Sequence, residues 1–236
     1  MKPALRLFRI GWTQIKRDGM LLALLPSPFL AGLIFRIAIP AINDILEERL
    51  SVSLTAWYRL VDGFLSCLTP LILAMVFSFL LLEERDEGIG AFYQITPAGG
   101  YPYLAARIGM PMAWSFVVNV VVLSLFTLSD LAFSAILLIS ALNSLAGLAM
   151  SLMVVSLAGN RVEGLALSKL MGVSFLGLLA EWCIPAPYHF FGAFLPSFWI
   201  GKILTEGISL FAMASGIAIS MLWVVLFAKK FNQKMG

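Results

Sequence analysis

Charge is what this 236-residue chain has least of: Asp, Glu, Lys and Arg make up 12% of it, about half of the ~25% usual in soluble proteins. That excludes a water-soluble globule, because 61% hydrophobic residues and a mean hydropathy of +0.96 exceed what a core of this size can hide. Histidine occurs once, at His189, and cysteine twice, at Cys67 and Cys183. Without a CxxC, HExxH or Cys/His spacing, no metal or haem ligand set is expected. The two thiols read as small buried hydrophobes or, being near the outer ends of their segments, as a disulfide. There is no G-x-x-x-x-G-K-[ST] phosphate loop and no grouped Ser, His and Asp. The chain is therefore expected to be no enzyme and to need no cofactor of its own. The net charge of +3 is spread over short connections rather than one face, which argues against a nucleic-acid partner.

What is present in quantity is long apolar runs. A spanning helix needs about 20 predominantly apolar residues, and six such runs occur, near Leu21–Ile42, Asp62–Leu82, Leu104–Leu128, Leu131–Leu157, Gly164–Ile184 and Gly207–Phe227. The expectation is an all-α polytopic membrane protein, residues 1–236 forming a single transmembrane domain. Twelve of the 16 basic residues precede the first run, lie in or flank the connections between runs two and three and between four and five (Arg85 and Arg107, Arg161 and Lys169), or follow the last run. The positive-inside rule then puts both termini in the cytoplasm.

Residues 1–18 read as an amphipathic interfacial helix. Leu5, Phe8, Trp12 and Ile15 share one helical face, while Lys2, Arg6, Arg9, Thr13 and Lys16 share the neighbouring one. Lys2, Arg6, Arg9, Trp12 and Lys16 would meet anionic headgroups at the membrane surface. Inside the runs, Lys169 can snorkel to the cytoplasmic interface. Arg36 and Glu181 both fall in outer halves, and are read as a pair across spans one and five, as lining of a substrate path, or as snorkelling to the outer interface. Small and polar residues recur every four positions at Asn143, Gly147 and Ser151, and at Ala212, Gly216 and Ser220, which suits close helix packing within the chain.

The second loop carries the most information. It reads Glu83-Glu84-Arg85-Asp86-Glu87-Gly88-Ile89-Gly90-Ala91-Phe92-Tyr93-Gln94-Ile95-Thr96-Pro97, followed by a Gly-Gly turn, Tyr101, Tyr103 and Arg107. An acidic cluster favours a helix start and Pro97 disfavours helix at Thr96. The reading is a short cytoplasmic helix within 83–103, with an aromatic side at Phe92 and Tyr93.

This stretch resembles the permease subunits of type-2 ABC exporters, small drug-export permeases among them. In that family the second span is followed by a segment similar to E-R-E-x-G-T-L-E-x-L-x-x-T-P. Glu84, Arg85, Asp86, Gly88, Thr96 and Pro97 match it at unbroken spacing, whereas Ile89-Gly90-Ala91 departs from it. The connection Trp182-Cys183-Ile184-Pro185-Ala186-Pro187, then Leu195-Pro196-Ser197-Phe198-Trp199, is similar to the outer re-entrant segment of such permeases, here 185–206.

The resemblance implies a permease in a prokaryotic plasma membrane, paired with a second permease chain, identical or related, and with two ATP-binding subunits that hold ATP and Mg. Glu84, Arg85, Asp86, Glu87, Gly88, Phe92, Tyr93, Thr96 and Pro97 would couple to the ATPase. Phe77, Phe79, Asn119, Phe175 and Glu181 are candidates for the path of an apolar or amphiphilic drug, peptide or lipid-like substrate, with plain helix packing as their ordinary reading. Rival readings are a membrane scaffold or assembly factor and a self-contained secondary transporter. The latter calls for repeat-related broken helices, and Pro26, Pro28 and Pro40 in span one have no matching second half.

Overall fold

The structure is a computed structural model that describes residues 2–88, 103 and 105–235. Its regular elements are helices, and no strand occurs among the described residues. In chain order they are α1 (Lys2–Arg17), α2 (Gly19–Leu24), α3 (Ser27–Leu50), α4 (Tyr58–Asp86), α5 (Met110–Phe126), α6 (Phe133–Leu157), α7 (Arg161–Ser168), α8 (Phe175–Cys183), α9 (Pro196–Glu206) and α10 (Leu210–Met235). A π-helical turn, Ala105–Gly109, leads into α5, and a tight 3-10 turn, Lys169–Ser174, joins α7 to α8.

Among the described residues six stretches are long and apolar enough to cross a membrane: Gly19–Leu50, Thr55–Asp86, Ala105–Phe126, Phe133–Leu157, Arg161–Cys183 and Leu210–Phe231. Each overlaps one run predicted from hydropathy. The first helix continues eight residues past the predicted Ile42, because the polar turn around Asn43 stays helical: Asn43 accepts from the Leu54 N–H at 2.7 Å. Pro40 and Pro70 both sit inside continuous helices and break neither.

The second and fourth spans form the centre, 78% and 72% buried along their most apolar windows, whereas the first and sixth are 11% and 17% buried. Small and polar side chains explain this order. Ser78 and Ser151 hydroxyls meet at 2.8 Å, Asn143 Nδ2 donates to Ser66 Oγ at 3.0 Å, and a Cβ on Gly147 would come within 3.3 Å of the Pro70 carbonyl oxygen. In lipid, close approach and interhelical hydrogen bonds do what hydrophobic burial does in water. The Asn143/Gly147/Ser151 stripe thus joins α6 to α4. Gly216 of the second stripe faces Trp199 and Leu142.

The connection after α8 doubles back through the turn Tyr188–Gly192 into α9, whose eleven residues are too few to span. Phe198, Ile200, Ile203 and Leu204 of α9 are all buried. Both thiols are free, Cys67 buried and Cys183 exposed, so the disulfide alternative is set aside. The start of α1 and the end of α10 lie at one end of the bundle, where Phe231 stands 5.8 Å from the Arg85 guanidinium. We call this the near end and the opposite one the far end.

Candidate functional site at the near end of the bundle

Glu83 to Asp86 are the last turn of α4 rather than the first turn of a new helix, which corrects the sequence expectation. Gly88, at φ 75°, ends the helix in the left-handed region that glycine tolerates. Carboxylates at a helix C-terminus oppose the helix dipole, and here two arginines offset them.

The first is Arg107. Its Nε donates to Glu84 Oε2 at 2.8 Å and its Nη2 to Glu84 Oε1, a two-pronged pair in which both side chains are 1% exposed. The Tyr103 hydroxyl donates to the same Oε2 at 2.8 Å, and Arg107 Nη1 donates to the Leu7 carbonyl of α1 at 2.8 Å. Burial, together with the Glu84 charge, pushes the Tyr103 hydroxyl well above its usual range, so it stays a donor. Gly11 lets α1 lie against this cluster, since a Cβ there would run into the Arg107 guanidinium.

The second is Arg161. Its guanidinium pairs with Asp18 at 2.6 Å and Glu83 at 3.0 Å, while its backbone N–H donates to Asp86 at 2.9 Å. Asp18 also caps α2 through the N–H groups of Met20 and Leu21. The Arg161 hydrogen bond holds the Asp18 carboxyl below the usual carboxylate range. A lowered folded value means this contact stabilises above the unfolded carboxylate range, and is lost as pH falls through the lowered value.

Glu84 is thus an internal residue and not the surface anchor expected from the sequence. Arg85 likewise turns inward, donating to the Val155 and Ala158 carbonyls at 3.1 and 3.0 Å. Asp86 and Glu87 remain exposed. Phe92, Tyr93, Thr96 and Pro97 lie outside the described residues.

The membrane-surface set is partly re-aimed. The docked stripe of α1 is Leu7, Gly11 and Ile15, whereas Leu5 is 63% exposed, because the Arg107 bond to Leu7 fixes the helix rotation. Arg6, Arg9 and Lys16 are exposed, Trp12 is half-buried, and Lys2 begins the helix. Leu5, Arg6, Phe8, Arg9, Trp12 and Trp114 line a cavity of about 480 Å³ between α1 and α5.

Of the path candidates, Phe77 and Phe79 are packed in the core at 1% and 0% exposure, which is the packing reading. Phe175 stacks on Phe64 at 5.3 Å. Asn119 is 1% exposed, and its amide has no hydrogen-bond partner among the described residues. Arg36 and Glu181 do not pair. Arg36 donates to the Thr127 carbonyl at 2.6 Å, beside Asp62, whose carboxylate accepts from the Leu128 and Ser129 N–H groups at 2.8 and 2.9 Å. Glu181 Oε1 accepts from the Thr205 hydroxyl at 3.0 Å. Asp62 and Asp18 have no role in the sequence reading, and Arg107 enters it only as the residue that closes the second loop. Their signal was a charge at the very edge of an apolar run, where a snorkelling residue looks the same as a buried one.

The fold defines a multi-pass membrane protein with buried ionic contacts at the near end of an apolar bundle. A sequence model of the family described as fluoroquinolones export permease protein Rv2686c-like matches residues 11–228, and the chain belongs to that family, an export permease family. No curated protein and no solved structure matches the chain.

Proposed function

We propose that this chain is the membrane-spanning half of an ATP-driven exporter in a prokaryotic plasma membrane, and that segment 83–103 is where a separate ATP-binding subunit pushes. The observation that carries this is the closure of the segment at its base. Glu84 stands at its start, Tyr103 and Arg107 end or follow it, and all three meet in one buried cluster that also holds the Leu7 carbonyl of α1. A force applied between these points moves the second span, the third span and α1 together, since a stiff base transmits displacement that a loose loop would absorb. The chain has no phosphate loop, so ATP and Mg would sit in the partner. The weakly buried first, fifth and sixth spans leave apolar flanks for lipid or a second permease chain. A scaffold or a self-contained transporter would need no such clamped segment.

The cavity beside α1 supports a drug-like substrate class. Its volume is within the range of small-molecule sites, and Phe8, Trp12 and Trp114 line it together with Arg6 and Arg9. A planar aromatic acid, as a fluoroquinolone is, offers complementary shape and charge.

Affinity purification of the full chain from its host in mild detergent, with mass spectrometry, is expected to bring down a stoichiometric Walker-motif ATPase. Glu87→Lys combined with Phe92→Ala should lose that ATPase while the permease still reaches the membrane. Repeated purification without any ATPase would sink the reading.

Topology is tested separately. In a Cys183→Ser background, a cysteine at Ser51 should react with an impermeant maleimide on intact cells, and one at Gln233 only after permeabilisation. The reverse pattern would turn the near end outward.

A further inference from the structure

We infer that Arg161 is a positioning residue that holds the corner between α1 and α2 against the ends of the second and fifth spans, and that this ionic bridge opens while the Glu84–Arg107 clamp stays shut. α1 is fastened at two points of different kind. At Leu7 its carbonyl is gripped by Arg107, part of a pair whose side chains are both 1% exposed. At the corner Asp18 is gripped by Arg161, and the side chains of that bridge, Arg161, Asp18 and Glu83, are 29%, 21% and 35% exposed. Water and salt reach the second contact and not the first, so the two differ in strength and in what weakens them.

The surroundings give the corner room. A polar cavity of about 380 Å³ separates it from the end of α4, lined by Gln14, Arg17 and Asp18 on one side and by Glu83, Glu84 and Glu87 on the other. The polar side of the corner is thus held across open space rather than by packing. Its apolar side is seated through Ile15 and Leu21, both fully buried in the cluster that also holds Phe77 and Leu80 of α4. Arg161 projects from a stiff turn: Asn160 caps α7 by accepting from the Glu163 N–H at 2.8 Å, and Glu163 in return accepts from the Gly159 N–H at 2.6 Å. Asp86 accepts from the Arg161 N–H at 2.9 Å, at a helix N-terminus where the dipole favours a carboxylate. One guanidinium fork then serves two carboxylates on different elements, a task for which a lysine ammonium is less suited.

Release of Asp18 leaves α1 tied through Arg107, so the corner lifts while the base of 83–103 keeps its shape. α7 does not follow, because it packs directly on α4: a Cβ on Gly164 would run into the Leu82 side chain. Phe8 and Trp12 lie on α1 between its two ties and line the cavity shared with Trp114, so the bridge also sets how widely that cavity opens. Its bearing on export rests on that cavity being the substrate's.

The test is hydrogen–deuterium exchange on the purified full chain in nanodiscs of neutral lipid, at about 0.01 and 1 M salt, between which the Debye length falls from about 30 to 3 Å. Opening of residues 18–25 should rise with salt by about two- to fivefold, as expected for exposed ion pairs, while 105–109, beside the buried clamp, should not follow. Arg161→Gln should open 18–25 to a similar extent already at low salt and remove the salt dependence. Arg161→Lys, which keeps the charge, should retain part of it. Asp18→Asn separates the bridge from the helix cap. Its Oδ1 can still accept from the Met20 and Leu21 N–H groups, whereas an NH2 group replaces the oxygen that faces Arg161, so it should behave as Arg161→Gln does. Exchange of 18–25 that ignores salt in the wild-type chain overturns the inference even if no variant folds. Opening of 105–109 in step with 18–25 overturns it too, as do folded Arg161→Gln and Asp18→Asn variants with wild-type exchange. None of these readings involves an ATPase or a drug, so the inference can fail while the export reading stands.

Discussion

Glu84→Ala should strip the chain of most of its folded population. The substitution leaves Arg107, 1% exposed, as a buried charge without its carboxylate. Breaking a buried pair in this way costs about 3–5 kcal/mol, a large part of the roughly 5–15 kcal/mol that holds a typical domain together. Three attachments fail at once, since the Arg107 fork also positions the Leu7 carbonyl of α1 and Tyr103 donates to the same carboxylate. Arg107→Ala should do comparable damage. The informative variant is the double replacement Glu84→Leu with Arg107→Met, because exchanging both charges for apolar groups of similar volume is often neutral or stabilising. It should return the protein to the membrane while leaving the base of 83–103 without its ionic clamp, so export should stay impaired. Membrane abundance and thermal unfolding in detergent read the first effect and drug efflux reads the second. Single variants as stable as wild type would remove the clamp from the argument.

The second large effect is expected at Gly177. A Cβ added there would collide with Ser197 Oγ and stand 2.7 Å from the backbone nitrogen of Phe198. Backbone cannot step aside as a flexible side chain can, so Gly177→Ala must push α9 away from α8. Overpacking of this kind costs about 1–3 kcal/mol and occasionally more. Gly172→Ala is the matched control, since nothing lies within 4 Å of its added Cβ. The unfolding midpoint should drop for the first and hold for the second. Equal midpoints would show that the far-end segment is not seated as described.

Hydropathy made the spans legible. Leaving lipid is so unfavourable for a run of some twenty apolar residues that its neighbours have little say in whether it is helical and buried in the bilayer. For the same reason the small-residue stripe Asn143, Gly147 and Ser151 could be recognised as a packing face without knowing its partner. The second-loop motif misjudged the structure of its first residues, which close α4 rather than open a new helix. Glu84 looks like a surface acid because nothing within its own helix can neutralise it. Its partner lies 23 residues ahead, and the carbonyl that this partner also grips lies on α1.

Arg36 and Glu181 show the same limit. Each sits toward the far end of a span, and a one-dimensional pattern offers each to the other. Only the packing reveals that Arg36 meets the Thr127 carbonyl while Glu181 meets Thr205 and faces His189. The sequence alone determined how many apolar runs are long enough to span a membrane and their approximate limits, because transfer from water to hydrocarbon is additive along the chain. Which charges neutralise which was decided only by tertiary structure, since an ionic partner is chosen by distance and burial after the helices have packed.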